Sequence, residues 1–325
     1  IYNTAVGGLS LQSNTANNNS AFGFQALKLN TTGTGNNAFG INSLIYNTTG
    51  DYNCAFGNQS LLRNTTADYN TGFGTNTLKE NETGTQNTAV GYGALEDNTA
   101  SSNTAIGFKA LYENTTGASN VAVGDLALDA NTTGSQSVAI GCESLTNHTG
   151  TNANAYGIVA VGYRALKSSV NALYNVAVGY KAGENNTSHY QTYVGWEAGQ
   201  SQVSNYGNVA VGHRSQQRAT GQENISVGGS AARGASSGCT GNYNTAMGGE
   251  ALYGFTSGSY NSAFGRYALK SNTTGSQNTA VGNFALQDNT TASLNTGVGY
   301  HALESNTSGA YNTALGAYAL DLNTT

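Results

Sequence analysis

The 325-residue chain contains no proline. Proline cannot donate to a backbone ladder, so its absence suits a continuous parallel sheet in which every N–H serves a neighbour. Charge is scarce as well. Charged residues make up 9% of the chain, against about 25% in ordinary soluble domains. The net charge of −5 is thinly spread, and a chain without a basic patch has no electrostatic footprint for nucleic acid. No apolar run approaches the roughly 20 residues of a membrane-spanning helix, so no membrane span is expected in this segment. Cysteine is sparse: Cys54, Cys142 and Cys239 lie far apart, and no C-x-x-C spacing occurs. That argues against a cysteine metal site and leaves buried or half-buried free thiols, or an intermolecular bridge. No leader-like segment is visible. Ile1-Tyr2-Asn3-Thr4-Ala5-Val6-Gly7 and Asn323-Thr324-Thr325 both fall within the repeat described next, which reads as a segment of something longer or a processed subunit.

Asn, Thr, Gly and Ala fill the space that charge leaves, and they are periodic. A small residue, an apolar residue and a glycine, with another small residue three places after the glycine, recur nineteen times, with Tyr193 alone replacing the first small residue. The glycines are Gly7, Gly23, Gly40, Gly57, Gly74, Gly91, Gly107, Gly124, Gly141, Gly162, Gly179, Gly195, Gly212, Gly228, Gly248, Gly265, Gly282, Gly299 and Gly316. They are 16 or 17 residues apart, except for 21 between Gly141 and Gly162 and 20 between Gly228 and Gly248. A short fixed period means one small unit stacked many times. Disordered polar chains lack such a strict apolar column.

Each unit carries two signals. Before the glycine stands Thr or a β-branched residue, then a small one, then an apolar one, as in Val121-Ala122-Val123. This is the period-2 pattern of a short strand with one buried face, and it places the apolar column inside. After the glycine come two variable residues, a small one, and leucine in fifteen of the nineteen units, which reads as a second short strand. Asn-Thr-Thr-Gly or a relative closes the unit, as at Asn30-Thr31-Thr32-Gly33. Asn and Gly tolerate positive φ, so this is a turn. The fold class expected is all-β: a parallel β-solenoid, or β-roll, of about 19 coils spanning 1–325 as a single repeat domain. Coils 142–161 and 229–247 carry insertions. Stacked about 4.8 Å apart, such coils build a rod of roughly 90 Å. The two small columns imply a close approach, either of the coil's own walls or of another chain. An oligomer or a laterally packed fibre is therefore expected.

Units such as Asn120-Val121-Ala122-Val123-Gly124 and Ser137-Val138-Ala139-Ile140-Gly141 resemble the head repeat of trimeric autotransporter adhesins. The same pattern is found in phage and environmental tail-fibre-like proteins. The closest stretch runs from Asn175 to Arg233, where leucine gives way to Gly183, Gly199, Gln216 and Ala232. The resemblance implies a left-handed parallel β-roll, usually trimeric, presented on a cell surface for adhesion.

Two sets of residues are candidate sites. Asn-x-Ser/Thr sequons occur in eleven of the turns: Asn30, Asn47, Asn64, Asn81, Asn114, Asn131, Asn186, Asn272, Asn289, Asn306 and Asn323. In a glycosylating pathway they would display a row of sugars; otherwise Asn and Thr form hydrogen-bonded turn ladders. Half of the twelve basic residues lie between Arg164 and Arg233. There the second residue after glycine is Arg164, Lys181, Glu197 and Arg214, beside an aromatic column of Tyr163, Tyr180, Trp196 and His213. This is a candidate ligand face for a surface glycan (Arg164, Lys181, Trp196, Arg214), or a charge ladder with self-stacked rings. The histidines His148, His189, His213 and His301 fall in different units without a partner at a telling spacing. No catalytic residue, metal ligand or cofactor site is assigned. The expectation is a non-enzymatic structural fibre or adhesin subunit, extracellular or on a cell or virion surface. Its partners would be copies of itself, as trimer or filament, and surface glycans. The alternative is a phage tail fibre that binds host glycans.

Overall fold

A computed structural model describes residues 2–150, 157–202, 206–236 and 238–325. The chain is an all-β parallel β-solenoid of about 17 residues per turn, and the described residues contain no helix. It forms two compact units, Ile1–Tyr163 and Arg164–Thr325. The first holds ten strands, β1 (Thr4–Val6) to β10 (Val159–Val161), and the second nine, β11 (Val176–Val178) to β19 (Thr313–Leu315). Every strand is three residues long and pairs in parallel with the equivalent strand of the next coil of its unit. Ala38 lies over Ala55 and Phe39 over Phe56, for example, and Ala263 over Ala280 and Phe264 over Val281.

One strand per coil is found, where the sequence suggests two. The small–leucine segment after each glycine is a tight turn, because alternate residues take the left-handed region: φ is 59° at Gln25 and 49° at Leu27, and 52° at both Lys109 and Leu111. Such residues cannot extend into a strand. The strain of left-handed leucine, about 1–3 kcal/mol at each position, is offset by burial. Leu27, Leu44, Leu61, Leu95 and Leu111 are all fully buried.

The strand faces are reversed relative to the sequence expectation. The central alanine points inward, and Ala21, Ala38, Ala55, Ala89 and Ala105 are fully buried. The apolar residue before the glycine points outward and is half-buried or exposed. The cause is the thinness of the coil. The strand alanine packs against the small residue three places after the glycine, and the two trade volume. Where that second column holds Ser60 and Thr77, the strand position shrinks to Gly72, at which a Cβ would meet Ser60 Oγ at 2.5 Å and Thr77 Oγ1 at 2.7 Å. Close approach of the coil's own walls thus explains both small columns. The motif glycine is forced in the same way. Gly195 has φ +136°, and a Cβ there would meet Gly212 O at 2.6 Å.

Asparagine fills the rest of the interior. One ladder precedes the strand: Asn53 N donates to Asn36 Oδ1 at 2.9 Å and Asn53 Nδ2 to Ala67 O at 2.8 Å. The other occupies the Asn-Thr-Thr turn, where Asn47 Nδ2 donates to Asn30 Oδ1 at 2.7 Å and to Gly50 O at 3.0 Å. Buried amides are tolerated because each finds partners in its own and adjacent coils. Of the insertions, residues 151–156 within 142–161 lie outside the described residues. In 229–247, where residue 237 is also outside, the extra residues leave the ladder intact: Val227 still pairs with Met247, and Ala219 bridges Cys239.

Candidate functional site

The second unit brings the four candidate ligand-face residues onto adjacent coils. Lys181, Glu197 and Arg214 share a left-handed backbone with φ of 54°. Register is fixed by Glu197 N donating to Tyr180 O and Arg214 N to Trp196 O, each at 2.8 Å. Tyr180, Trp196 and His213 stack nearly parallel, with ring centroids 5.9 and 4.9 Å apart. The Arg214 guanidinium lies 4.5 Å from the Trp196 ring centroid, and Lys181 Nζ lies 5.6 Å from that of Tyr180. Each ring presents its face to a neighbouring ring and its edge to solvent.

The charges are internally matched. Arg214 Nε pairs with Glu197 at 3.0 Å, but Lys181 turns away from Glu197 and pairs with Glu184 at 3.5 Å, as does Arg164 at 3.8 Å. Glu184, Gln200, Gln217 and Arg233 form a second column that sequence reasoning missed. Gln200 Nε2 donates to Glu184 Oε2 at 2.9 Å and Gln217 Nε2 to Gln200 Oε1 at 3.2 Å. Gln217 Nε2 also donates to Glu197 Oε2, while Arg233 Nε donates to Gln217 Oε1 at 2.9 Å. Those four residues occupy one repeat position, the fifth after the glycine. The polar run was legible there, but its contact with the second position depends on the left-handed turn between them. The result is a hydrogen-bonded strip in which the charged groups serve one another.

The sequon asparagines have a different role from the sugar row weighed above. Asn30, Asn47, Asn64, Asn81, Asn114, Asn186, Asn272, Asn289 and Asn306 are fully buried, Asn131 is almost so, and Asn323 is half-buried. Nδ2 is the atom a glycan would occupy, and it is spent in the turn ladder. That of Asn131 donates to Asn114 Oδ1 at 2.7 Å and to Gly134 O at 3.0 Å. A glycan on a buried nitrogen of this kind would displace its hydrogen bonds and have to occupy a closed interior. The neighbouring threonine hydroxyl also serves the ladder, Thr48 Oγ1 donating to Thr65 O at 2.9 Å.

Elsewhere, His189 Nδ1 accepts from Leu173 N at 2.9 Å, and His301 pairs with Glu304. Burial pushes the Cys54 thiol up from its ordinary value. In the first unit, a surface groove is lined by Tyr46, Leu62, Arg63, Thr65 and Glu82, but Arg63 is committed to Glu80 at 2.8 Å. Among the described residues, no group of three or more His, Cys, Asp or Glu is placed to hold a metal ion, and no helix is long and apolar enough to cross a membrane. Compared with protein-family models and with the sequences of curated proteins, the chain matches none.

Proposed function

We propose that this chain is a non-enzymatic structural subunit of an extracellular fibre, of the adhesin type, which associates with copies of itself through the outer face of its sheet. The observation that supports this reading is the outward apolar column. In the first unit Phe22, Phe39, Phe56 and Phe73 form a stacked row with centroids 4.4 to 5.6 Å apart. In the second, Val178, Val194, Val227, Met247, Phe264 and Val281 are each more than one-third exposed. Around β8 (Val121–Val123), β9 (Val138–Ile140) and β10 both outward positions are aliphatic. A contiguous apolar strip on a monomer is the kind of surface that a partner covers. Periodicity makes the strip self-complementary, which favours another copy as that partner. The resemblance to adhesin head repeats and tail-fibre-like proteins points to a cell or virion surface.

The experiment is sedimentation velocity on the intact chain and on Phe73→Lys/Met247→Lys, with negative-stain imaging to distinguish trimers from filaments. Wild type should sediment as an oligomer at micromolar concentration, and the double variant as a folded monomer with an unchanged circular dichroism spectrum. A monomeric wild type, or a variant that still assembles, overturns the reading.

A further inference from the structure

The aromatic column of the second unit is interrupted. After Tyr180, Trp196 and His213, the residue following the motif glycine is Gly229 and then Gly249, before Arg266 resumes the column. Register holds throughout. Ser230 N donates to His213 O at 2.7 Å, Glu250 N to Gly229 O at 2.9 Å and Tyr267 N to Gly249 O at 3.1 Å. His213 therefore has one face on Trp196, 4.9 Å away, and faces two layers without side chains on the other. At about 4.8 Å per coil, roughly 14 Å separates the His213 layer from the Arg266 layer.

Neither glycine is required by the backbone. The motif glycines beside them, Gly228 and Gly248, have φ of +137° and +135°, and a Cβ on either would meet the next carbonyl at 2.6 Å. Gly229 and Gly249 are not in the positive-φ region. A Cβ at Gly229 meets nothing within 4 Å, and one at Gly249 meets only Arg266 Cγ at 4.0 Å. The equivalent position carries a ring in several other coils, as at Phe24, Tyr92, Phe108, Tyr180 and Trp196, so the fold would accept a ring here. The far wall is an arginine. Arg266 is exposed, with its guanidinium 4.4 Å from the Tyr267 centroid and Nη2 donating to the Tyr267 hydroxyl at 2.6 Å. Arg214 and Lys270 pair with Glu197 and Glu250, but among the described residues no carboxylate lies within ion-pair distance of Arg266.

We propose that this notch binds an acidic oligosaccharide, one pyranose ring against the open face of His213 and a carboxylate of the same glycan on Arg266. The apolar CH face of a pyranose matches a flat ring, and the stack beneath holds that ring in place before binding. An arginine already oriented by a tyrosine suits a planar carboxylate, which it can grip with two parallel hydrogen bonds. The ligand face weighed from sequence thus moves along the same column, from rings that cover one another to the point where a ring is uncovered. The site lies within one chain, so its test is independent of self-association.

The test measures binding of sialyllactose and trigalacturonate to the intact chain by saturation-transfer NMR and calorimetry, beside lactose and methyl-esterified trigalacturonate. The expected result is saturable binding of at least one acidic sugar, one site per chain, weakened about tenfold in the neutral form or in Arg266→Gln, as befits loss of a charge-assisted pair. Gly229→Tyr continues the ring column through the notch and should abolish binding with the fold intact. Gly249→Gln is a second filling variant, should the first fail to fold. Absence of binding by both acidic sugars overturns the proposal. Unchanged binding in a folded filling variant, or neutral sugars binding as tightly as acidic ones, overturns it too.

Discussion

Replacing Asn114 with aspartate tests whether the amide ladder, beyond apolar burial, holds the coils together. Asn114 is fully buried. Its Nδ2 donates to Asn98 Oδ1 at 2.7 Å and to Gly117 O at 2.8 Å, and its Oδ1 accepts from Asn131 Nδ2 at 2.7 Å. The substitution keeps the shape and the acceptor and removes both donors. Two hydrogen bonds of about 1 kcal/mol each are lost, and although Asn98 Oδ1 and Gly117 O both keep Asn103 Nδ2 as a donor, they are left facing a buried carboxylate with no cation beside it, the larger part of the cost. The expected destabilisation is therefore about 3–5 kcal/mol at pH 7. Stability in stacked repeats is approximately a nearest-neighbour sum, so the loss should appear as local opening. Amide exchange in peptides around 98–131 should accelerate by roughly 100- to 4,000-fold over wild type, since each 1.4 kcal/mol is a factor of ten. Peptides from the second unit should keep their protection. The pH dependence has a defined sign. A carboxylate disfavoured by burial has a folded pKa above its unfolded value, so the penalty is full above the folded pKa and fades as pH falls through it. The protonated acid also regains one O–H for Asn98 Oδ1. Wild-type protection at pH 7, or an excess over wild type that does not shrink by pH 4, would refute the reasoning.

Two further variants probe particular coils. Tyr193 is fully buried in the alanine column, and its ring fills the space left by Gly183, where a Cβ would meet Tyr193 Cδ2 at 2.6 Å. Among the described residues its hydroxyl has no hydrogen-bond partner. Tyr193→Ala should therefore cost about 3–5 kcal/mol through the void, measured by urea denaturation. Tyr193→Phe should cost less than about 0.5 kcal/mol or stabilise, and Gly183→Leu with Gly199→Leu should rescue the alanine variant. Burial raises the Asp129 carboxyl from 3.8 to about 6, with Glu113 adding to the shift. A raised carboxyl pKa means that ionisation opposes folding, so its cost appears as pH rises from about 4 through 6 and persists above. Asp129→Asn should abolish that dependence and stabilise the chain at pH 7 by about 1–2 kcal/mol, after discounting for partial exposure. Equal denaturation midpoints at pH 7 would count against this.

The period, the position of the strand and its in-register stacking were legible in the sequence, because nineteen copies of one pattern leave little room for another arrangement. The direction of the strand was not. Val121-Ala122-Val123 alternates equally well with either face inward, and which face wins depends on coil thickness. Thickness becomes visible only when Ala122 is seen opposite Ala127, both fully buried. The left-handed leucines were hidden for a related reason. Leucine has no preference for positive φ, so Leu111 at φ 52° is imposed by the ladder and not by its own propensity. The turn asparagines stayed open between a sugar row and a hydrogen-bonded ladder because Asn-Thr-Thr-Gly has the composition of a surface turn. Asn47 turns inward because its amide has partners in the coil before and in its own turn, information that resides in the stack and not in any one copy.

A coil lined by alanine, leucine and two asparagines has little interior left, so large or charged side chains fall mostly outside it. Along a stacked column those side chains first meet their own equivalents. Phe39 covers Phe56 at 4.4 Å, Trp196 covers His213 at 4.9 Å, and Arg214 reaches Glu197 at 3.0 Å. Repetition therefore consumes ring faces and charges, leaving edges and neutralised pairs. A ring or a charge is left uncovered where the repeat lapses, as His213 is above Gly229 and Arg266 beyond Gly249. On the two proposals made above, regular columns serve cohesion and self-association, and recognition of anything else belongs at their interruptions.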